Sequence, residues 1–459
     1  MIPKEAMMSA YTVTNPATGE VEATYPSATD EQVATAVETA DEAYRTWGRT
    51  STKASRAALL ARVADLYDER KDELAAIINH EMGKKLEEAV GEVEFSASIY
   101  RYYAEHGEEF LADLPIDREA PGSAIVRKMP IGVLVGVMPW NYPYYQVARF
   151  AAPNLMLGNT IVLKHAALCP QSSAAMGGIF LEAGFPKGAF TNLYADFDQV
   201  RSLISDPRVR GVSLTGSERA GVAIAQEAGA ALKKVVCELG GSDPFIVLGT
   251  SDMDALVQTA VAGKYENCGQ VCNGPKRFII IDSLYDEFLK RFAEASKAVE
   301  LGPLCSLKAA ERLSAQVAQA VEDGATLALG DGKNDGAFFA PTILTDIPAG
   351  SKVRYQEFFG PVSQFYRVGS EAEAVALAND TPYGLGSYVF TTDPAQGERV
   401  ADALETGMTY VNEVGADSAE LPFGGVKNSG FGRELGSLGI NEFVNLKLIS
   451  LDTPGYFTK

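Results

Sequence analysis

From Pro130 to Glu238 the chain alternates between near-continuous apolar runs and helix-forming stretches, and this alternation constrains the fold more than any other feature. Ile131 to Met138 (IGVLVGVM), Thr160 to Lys164 (TIVLK), Val209 to Leu214 (VRGVSL) and Lys234 to Glu238 (KVVCE) read as strands, with helices expected at Tyr144 to Leu157, Pro170 to Ala183 and Ser217 to Ala231. Apolar runs that lack a polar face, joined by helices, form a parallel sheet covered on both sides. After Pro244 a second series begins. Strands are expected at Phe245 to Leu248, Arg277 to Asp282, Thr342 to Leu344 and Gly386 to Phe390, and helices from Asp252 to about Val261 and from Leu284 to Val299. The expected class is α/β, with two α/β units in succession and a ligand-binding crevice between them.

Ahead of this alternation, residues 30–110 read mainly as amphipathic helices, with apolar residues at helical spacing between Asp30 and Thr46 and between Leu59 and Ile78. A further β-rich run, Ser123 to Lys128, is separated from Ile131 by Met129-Pro130. The 459 residues carry 60 acids and 40 bases, a net charge of −20. That balance argues against nucleic acid and anionic membrane surfaces as partners. The opening residues, Met1 to Ala10, lack the charged and apolar regions of a secretory signal, and no stretch reaches the roughly 18 apolar residues of a membrane span, so the cytoplasm is the expected location. Five scattered cysteines point to reduced thiols, and three histidines without ligand spacing give no support for a metal site.

Three segments contain residues suited to chemistry. In YENCGQVCNGPKR, Cys272 is flanked by small residues just before a strand, which fits a nucleophile open to substrate and equally a small buried hydrophobe. Glu238 ends an apolar strand ahead of a Gly-Gly pair, where a desolvated carboxylate can act as a base or simply mark the return to water. Asn141, in MPWNYP, can donate to an oxyanion or cap the following helix.

Together with TVTNPATG from Thr12 to Gly19, PWNYP, IVLKH, LTGSERAG, ELGGSDP, EFFGPV and LPFGGVKNSGFGRE, these segments resemble the aldehyde dehydrogenase superfamily, in family order over nearly the whole chain. The resemblance implies NAD(P)-dependent oxidation of an aldehyde to a carboxylic acid through a thiohemiacetal and a thioester on Cys272. Asn141 and the Cys272 N–H would hold the oxyanion, and Glu238 would activate the hydrolytic water. It also implies cofactor contacts by Pro139, Trp140, Lys164, Gly216, Ser217, Leu239, Glu357 and Phe359. NAD-preferring relatives often carry a glutamate three residues after the lysine, where it repels a 2′-phosphate. Here that position is Ala167, so the cofactor is expected to be NAD or NADP, with NADP tolerated or preferred.

Within the superfamily, LKHA, GQVCNGPKRFI and VNEVGADSAELPFGGVKNSGFGREL look most like the succinate-semialdehyde dehydrogenase branch. By that resemblance Arg149 meets the distal carboxylate of an anionic aldehyde and Ser418 is a second contact. An internal salt bridge is the other reading of Arg149, and Asp417 would oppose an anion if it faced inward. Cys268, four residues before Cys272, is a packed thiol or a partner in a reversible disulfide. The alternatives are a dehydrogenase for another aliphatic or aromatic aldehyde, a cysteine acyl hydrolase, which needs a histidine base, and a non-catalytic relative. A CoA-acylating enzyme would usually lack Glu238.

The fold implied is a Rossmann-type cofactor domain (1–111 and 131–237), an α/β catalytic domain (238–443), and a small β excursion (112–130 and 444–459) that joins subunits in a homodimer or homotetramer. The acidic excess is expected on the outer surface, where it suits solubility and high salt.

Overall fold

The computed structural model describes residues 11–415 and 417–458, so the expectation about Met1 to Ala10 lies outside the described residues. The first sheet runs, edge to edge, through Gly430–Phe431, Lys234–Glu238, Val209–Thr215, Val133–Val137, Thr160–Lys164 and Phe190–Asn192. All neighbours are parallel except Gly430–Phe431, which pairs antiparallel with Glu238 and Cys237. The central strand Val133–Val137 is apolar on both faces because helices cover both. The helix Asp30–Ala43 packs Val33, Val37 and Ala40 into one layer, and Pro143–Leu157, every residue of it buried, fills the other.

The second sheet has seven strands in the order Thr326–Leu329, Thr342–Thr345, Val362–Val368, Pro275–Ile281, Asp243–Val247, Tyr388–Phe390 and Tyr410–Val411, parallel except at the Thr326–Leu329 edge. Its packing uses stacked rings, including Phe278 on Phe365 at 4.9 Å and Phe245 on Phe390 at 4.6 Å. A third, antiparallel sheet joins Val444–Leu451 to Ser123–Pro130 and Leu114–Ile116. Leu114, Ile116, Leu446 and Leu448 are exposed on it. Among the described residues no helix is long and apolar enough to cross a membrane.

The α/β class is observed, and the strands expected at Thr160 to Lys164 and Lys234 to Glu238 have those bounds. The periodicity between Leu59 and Ile78 belongs to two helices, Lys53–Glu69 and Lys71–Met82, because Arg70 leaves helical geometry at φ −110°, ψ 16° and turns the second helix onto a new axis. The helix Asp30–Ala43 likewise ends in a π turn, Tyr44–Gly48. Helices Leu307–Glu322, Glu371–Asn379 and Pro394–Ala403 were not anticipated.

This topology decides where chemistry can occur. The carboxyl ends of Val133–Val137, Val209–Thr215 and Lys234–Glu238 lead into Pro139-Trp140-Asn141, Gly216-Ser217 and Leu239-Gly240-Gly241. The Cys272 turn enters from the other unit, just before Pro275–Ile281.

Candidate active site

Two hollows meet at Cys272. The first is lined by the strand ends just named, with Asn141, Thr215, Glu238, Glu357 and Phe359. The second is lined by Phe95, Tyr142, Tyr145, Asn273, Tyr388 and Asp417, among others. Cys272 and Gln146 border both.

The thiol is partly exposed, its Sγ 3.9 Å from Asn273 Oδ1. Burial pushes it up to about 12, while the charges of Arg149 and Lys276 pull the other way. The turn carrying it is held by Lys276, whose Nζ donates to the carbonyls of Val271 and Cys272, both at 2.7 Å, and of Gly274 at 3.2 Å. A buried ammonium needs such partners, and these turn the carbonyls of the loop inward. Asn141 is buried. Its Nδ2 donates to the Gln270 carbonyl at 3.1 Å, which fixes the amide with one N–H still uncommitted. Asn141 does not cap the helix Pro143–Leu157. Glu92 Oε1 does, accepting from Tyr144 N at 2.8 Å and Tyr145 N at 3.3 Å, while Lys84 pairs with Glu92 from beneath.

Glu238 is fully buried and neither carboxyl oxygen has a hydrogen-bond partner among the described residues. Desolvation, reinforced by the neighbouring Glu434 and opposed by Arg149, holds its pKa well above the ordinary carboxyl range. Gly424 makes the approach possible, since a Cβ there would lie 2.8 Å from Glu238 Oε1.

The first hollow offers a surface suited to a nucleotide. Ser217 caps the helix Glu218–Ala230 by accepting from Ala220 N, and lines the hollow beside Gly216, so the helix begins at its edge. Thr215 Oγ1 is buried there without a partner. Glu357 lies against Gly240, where a Cβ would fall 2.3 Å from its Oε2. It accepts from Gly241 N at 3.1 Å and faces Lys276 at 3.4 Å. Trp140 and Phe359 meet edge to face at 5.7 Å. Pro139 and Leu239 complete the lining. Lys164 stands outside it, at the end of its strand, without a hydrogen-bond or ion-pair partner among the described residues; burial lowers its pKa. An ammonium with no counter-ion, on a half-buried side chain whose Nζ lies 5.7 Å from the Tyr11 ring centroid, fits an anionic ligand, and Ala167 presents no carboxylate nearby. Arg312, on the helix Leu307–Glu322, adds a cation to the lining.

Other expected residues are placed differently. Arg149 does not line the second hollow. Its Nε lies 2.7 Å from Glu434 Oε2, its Nη1 donates to the Tyr145 hydroxyl at 3.3 Å, and its Cζ sits 4.0 Å from the Phe423 ring centroid. The internal salt bridge is the observed arrangement, because a guanidinium completely removed from water needs a permanent counter-charge. Ser418 is absent from both linings. Asp417 does face the second hollow, with Oδ2 accepting from Asn273 Nδ2 at 3.1 Å and Oδ1 from the Tyr410 hydroxyl at 2.8 Å. Cys268 lines neither hollow; it is buried in a hydrophobic cluster and donates to the Gly302 carbonyl at 3.3 Å, as a packed thiol does. His165 is locked between the Pro143 carbonyl at 3.1 Å and the Ala166 N–H at 2.8 Å, and burial depresses it to about 4. It cannot serve as the base of a cysteine hydrolase.

Tyr145, Gln146, Lys276 and Arg312 were missed. A signal for the first two existed: Tyr142, Tyr145, Gln146 and Arg149 stand at i, i+3, i+4 and i+7, a polar stripe on an otherwise apolar helix.

Comparison with known proteins agrees with this geometry. The signature of the Aldehyde dehydrogenase family matches residues 2–449. The chain is 49% identical over 453 residues to a succinate-semialdehyde dehydrogenase [NADP(+)] of Deinococcus radiodurans, covering 96% of this chain and 94% of that protein. It is 42% identical over 449 residues to the enzyme of the same name from Mycobacterium avium, covering 95% of each. The crystal structure of succinic semialdehyde dehydrogenase from Streptococcus pyogenes in complex with NADP+ superimposes with a TM-score of 0.94 at 41% identity, covering 96% of this chain and 100% of that one.

Proposed function

The chain belongs to the aldehyde dehydrogenase family, and from that premise we propose that it oxidises succinate semialdehyde to succinate with NADP+, using Cys272 as nucleophile. The observation that carries this reading is the convergence on one hollow of a thiol, an amide donor and a buried carboxyl with no partner, beside a surface suited to a nucleotide.

Cys272 Sγ adds to the aldehyde carbon to give a thiohemiacetal. The free N–H of Asn141 and the Cys272 N–H, which donates to no described group, receive the oxygen as charge develops on it. Because burial keeps the thiol protonated near neutral pH, its proton needs an acceptor, and Glu238 is the uncommitted carboxyl lining the same hollow. The raised pKa of Glu238 makes its carboxylate a stronger base than an ordinary one, as attack of water on the thioester requires. NADP+, when bound, supplies the hydride acceptor for the oxidation step. Gly216, Ser217 and Lys164 would hold its phosphates and adenosine ribose, with Glu357 and Phe359 at the nicotinamide end. Ala167 leaves a 2′-phosphate unopposed.

NADP+ and succinate semialdehyde as ligands are supported by the relatives, whose names specify both. One observation favours a second reading, a neutral aldehyde: Arg149 is committed to Glu434, and Asp417 lines the hollow beside Cys272. Following NADPH absorbance over a panel of anionic and neutral aldehydes, with both cofactors and with Cys272→Ala as the blank, separates the two. A higher kcat/KM for butanal than for succinate semialdehyde would establish the second.

We assign cofactor binding to 1–111 and 131–237, catalysis to 238–443, and association of identical subunits to 112–130 and 444–459. Leu446 and Leu448 on an open sheet edge support the last assignment. Light scattering that returned the mass of one chain would refute it.

A further inference from the structure

The second hollow raises a problem for an anionic substrate, because Arg149 is not in its wall and Asp417 is. Two consecutive residues of the helix Pro143–Leu157 resolve it. Tyr145 lines the hollow, and its hydroxyl oxygen accepts from Arg149 Nη1 at 3.3 Å, leaving its own O–H without an acceptor among the described residues. A hydroxyl polarised by a guanidinium behind it is a strengthened donor. Gln146 is 1% exposed, borders both hollows beside Cys272, and has neither Nε2 nor Oε1 hydrogen-bonded among the described residues. A buried amide with both ends unmet costs stability unless a ligand meets it.

We propose that the Tyr145 hydroxyl and the Gln146 amide together receive the distal carboxylate of the substrate, with Arg149 acting one bond behind through Tyr145. Asp417 lines the same hollow with both oxygens occupied by Asn273 and Tyr410, and its charge, which the Tyr145 hydroxyl also feels, offsets part of this preference. Arg149 stays paired with Glu434 throughout, so the substrate does not have to break a buried ion pair to bind. Specificity then rests on neutral donors in the wall, and the full charge stays behind them. The inference rests on the reading of succinate semialdehyde as substrate.

The test measures kcat/KM for succinate semialdehyde and for butanal, which has the same four carbons without the carboxylate, in the full-length enzyme with saturating NADP+. The wild type should favour succinate semialdehyde. Tyr145→Phe should lower the ratio of the two values about tenfold, the worth of one hydrogen bond to a charged group, mostly through KM for the anionic substrate. Gln146→Met, which leaves every bond of Arg149 intact and guards against misfolding in the first variant, should lower it by a similar factor. Succinate should also inhibit both variants more weakly. Activities that fall equally toward both aldehydes in both variants would overturn the inference and reduce the pair to packing. A wild type that prefers butanal would instead overturn the substrate reading on which it stands.

Discussion

The two hollows that share Cys272 are made in opposite ways. The first is assembled from the carboxyl ends of adjacent strands of one parallel sheet, and its charged lining is mixed: Arg312 stands against two carboxyls, Glu238 and Glu357, whose pKa values burial raises. The far side draws on the helix Leu86–Phe110, the helix Pro143–Leu157, the Cys272 turn and the segment through Asp417. It has four acids in its lining, Glu88, Glu92, Glu266 and Asp417, and no lysine or arginine. Three of those acids brace the architecture, since Glu92 caps a helix, Glu266 accepts from the Tyr142 hydroxyl at 2.6 Å and Glu88 accepts from Asn267 N at 3.1 Å. An anionic cofactor in the first hollow would therefore have Arg312 and the start of the helix Glu218–Ala230 to meet it, whereas an anionic substrate in the second would have to be met by neutral donors.

The sharpest break of the comparison is at the shared border. Cys272→Ala should abolish NADPH formation. Glu238→Gln should lower kcat by about 10²–10⁴-fold and Asn141→Ala by about 10²–10³-fold, in steady-state assays with any aldehyde accepted. Because burial pushes the thiol up to about 12, alkylation of the cofactor-free enzyme by iodoacetamide should keep accelerating above the ordinary thiol value of about 8.5. A plateau below that value would show that the thiol is already ionised at neutral pH.

The difference in construction also explains what could be read from the sequence. A strand end followed by a Gly-Gly pair or a Pro-Trp-Asn turn is a local pattern, and Glu238, Asn141 and Gly216 lie where those patterns put them, because a parallel sheet brings its strand ends together. The resemblance to a known family extended this to Glu357 and Phe359. The far side has no such shortcut. Whether Arg149 faces a ligand or Glu434 depends on a residue 285 positions away, and that pairing comes only with the fold. Lys276 and Arg312 were lost for a similar reason. A lysine in a β-rich run reads as a surface charge until its ammonium is seen among three carbonyls of the Cys272 turn, and Arg312 belongs to a helix that was not anticipated.

The second-largest effect should fall behind the far wall and appear in stability. Arg149→Ala strands Glu434 in the interior without its counter-charge, at a cost of about 3–5 kcal/mol. The double variant Arg149→Met, Glu434→Gln should recover much of it. Urea midpoints of the three proteins check this, and a double variant no more stable than the single would show that Arg149 contributes packing more than charge. On the cofactor side, Lys164→Ala removes an ammonium that has no internal partner, so its loss should be felt by the ligand and little by the fold. KM for NADP+ should rise about tenfold, a change of about 1.4 kcal/mol, with a smaller change for NAD+. Equal changes for both cofactors would move Lys164 away from the 2′-phosphate.

The smallest effect gives the finest test of the asymmetry. Asp417 is the one acid of the far lining that does not brace a helix or the Cys272 turn from outside; it lies beside Asn273 and Tyr410 at the hollow itself. Its repulsion of a substrate carboxylate several ångströms away is screened by water and salt, with a Debye length of about 10 Å at 0.1 M, so removing the charge should gain well under 1.4 kcal/mol. Asp417→Asn keeps an oxygen for the Tyr410 hydroxyl and should therefore lower KM for succinate semialdehyde about two- to fivefold, leave butanal nearly unaffected, and lose most of its advantage as salt is raised. A benefit that persists at high salt, or that extends to butanal, would mean that the substitution reshapes the wall. The acidic lining would then be a matter of architecture alone, with no bearing on which aldehydes the enzyme admits.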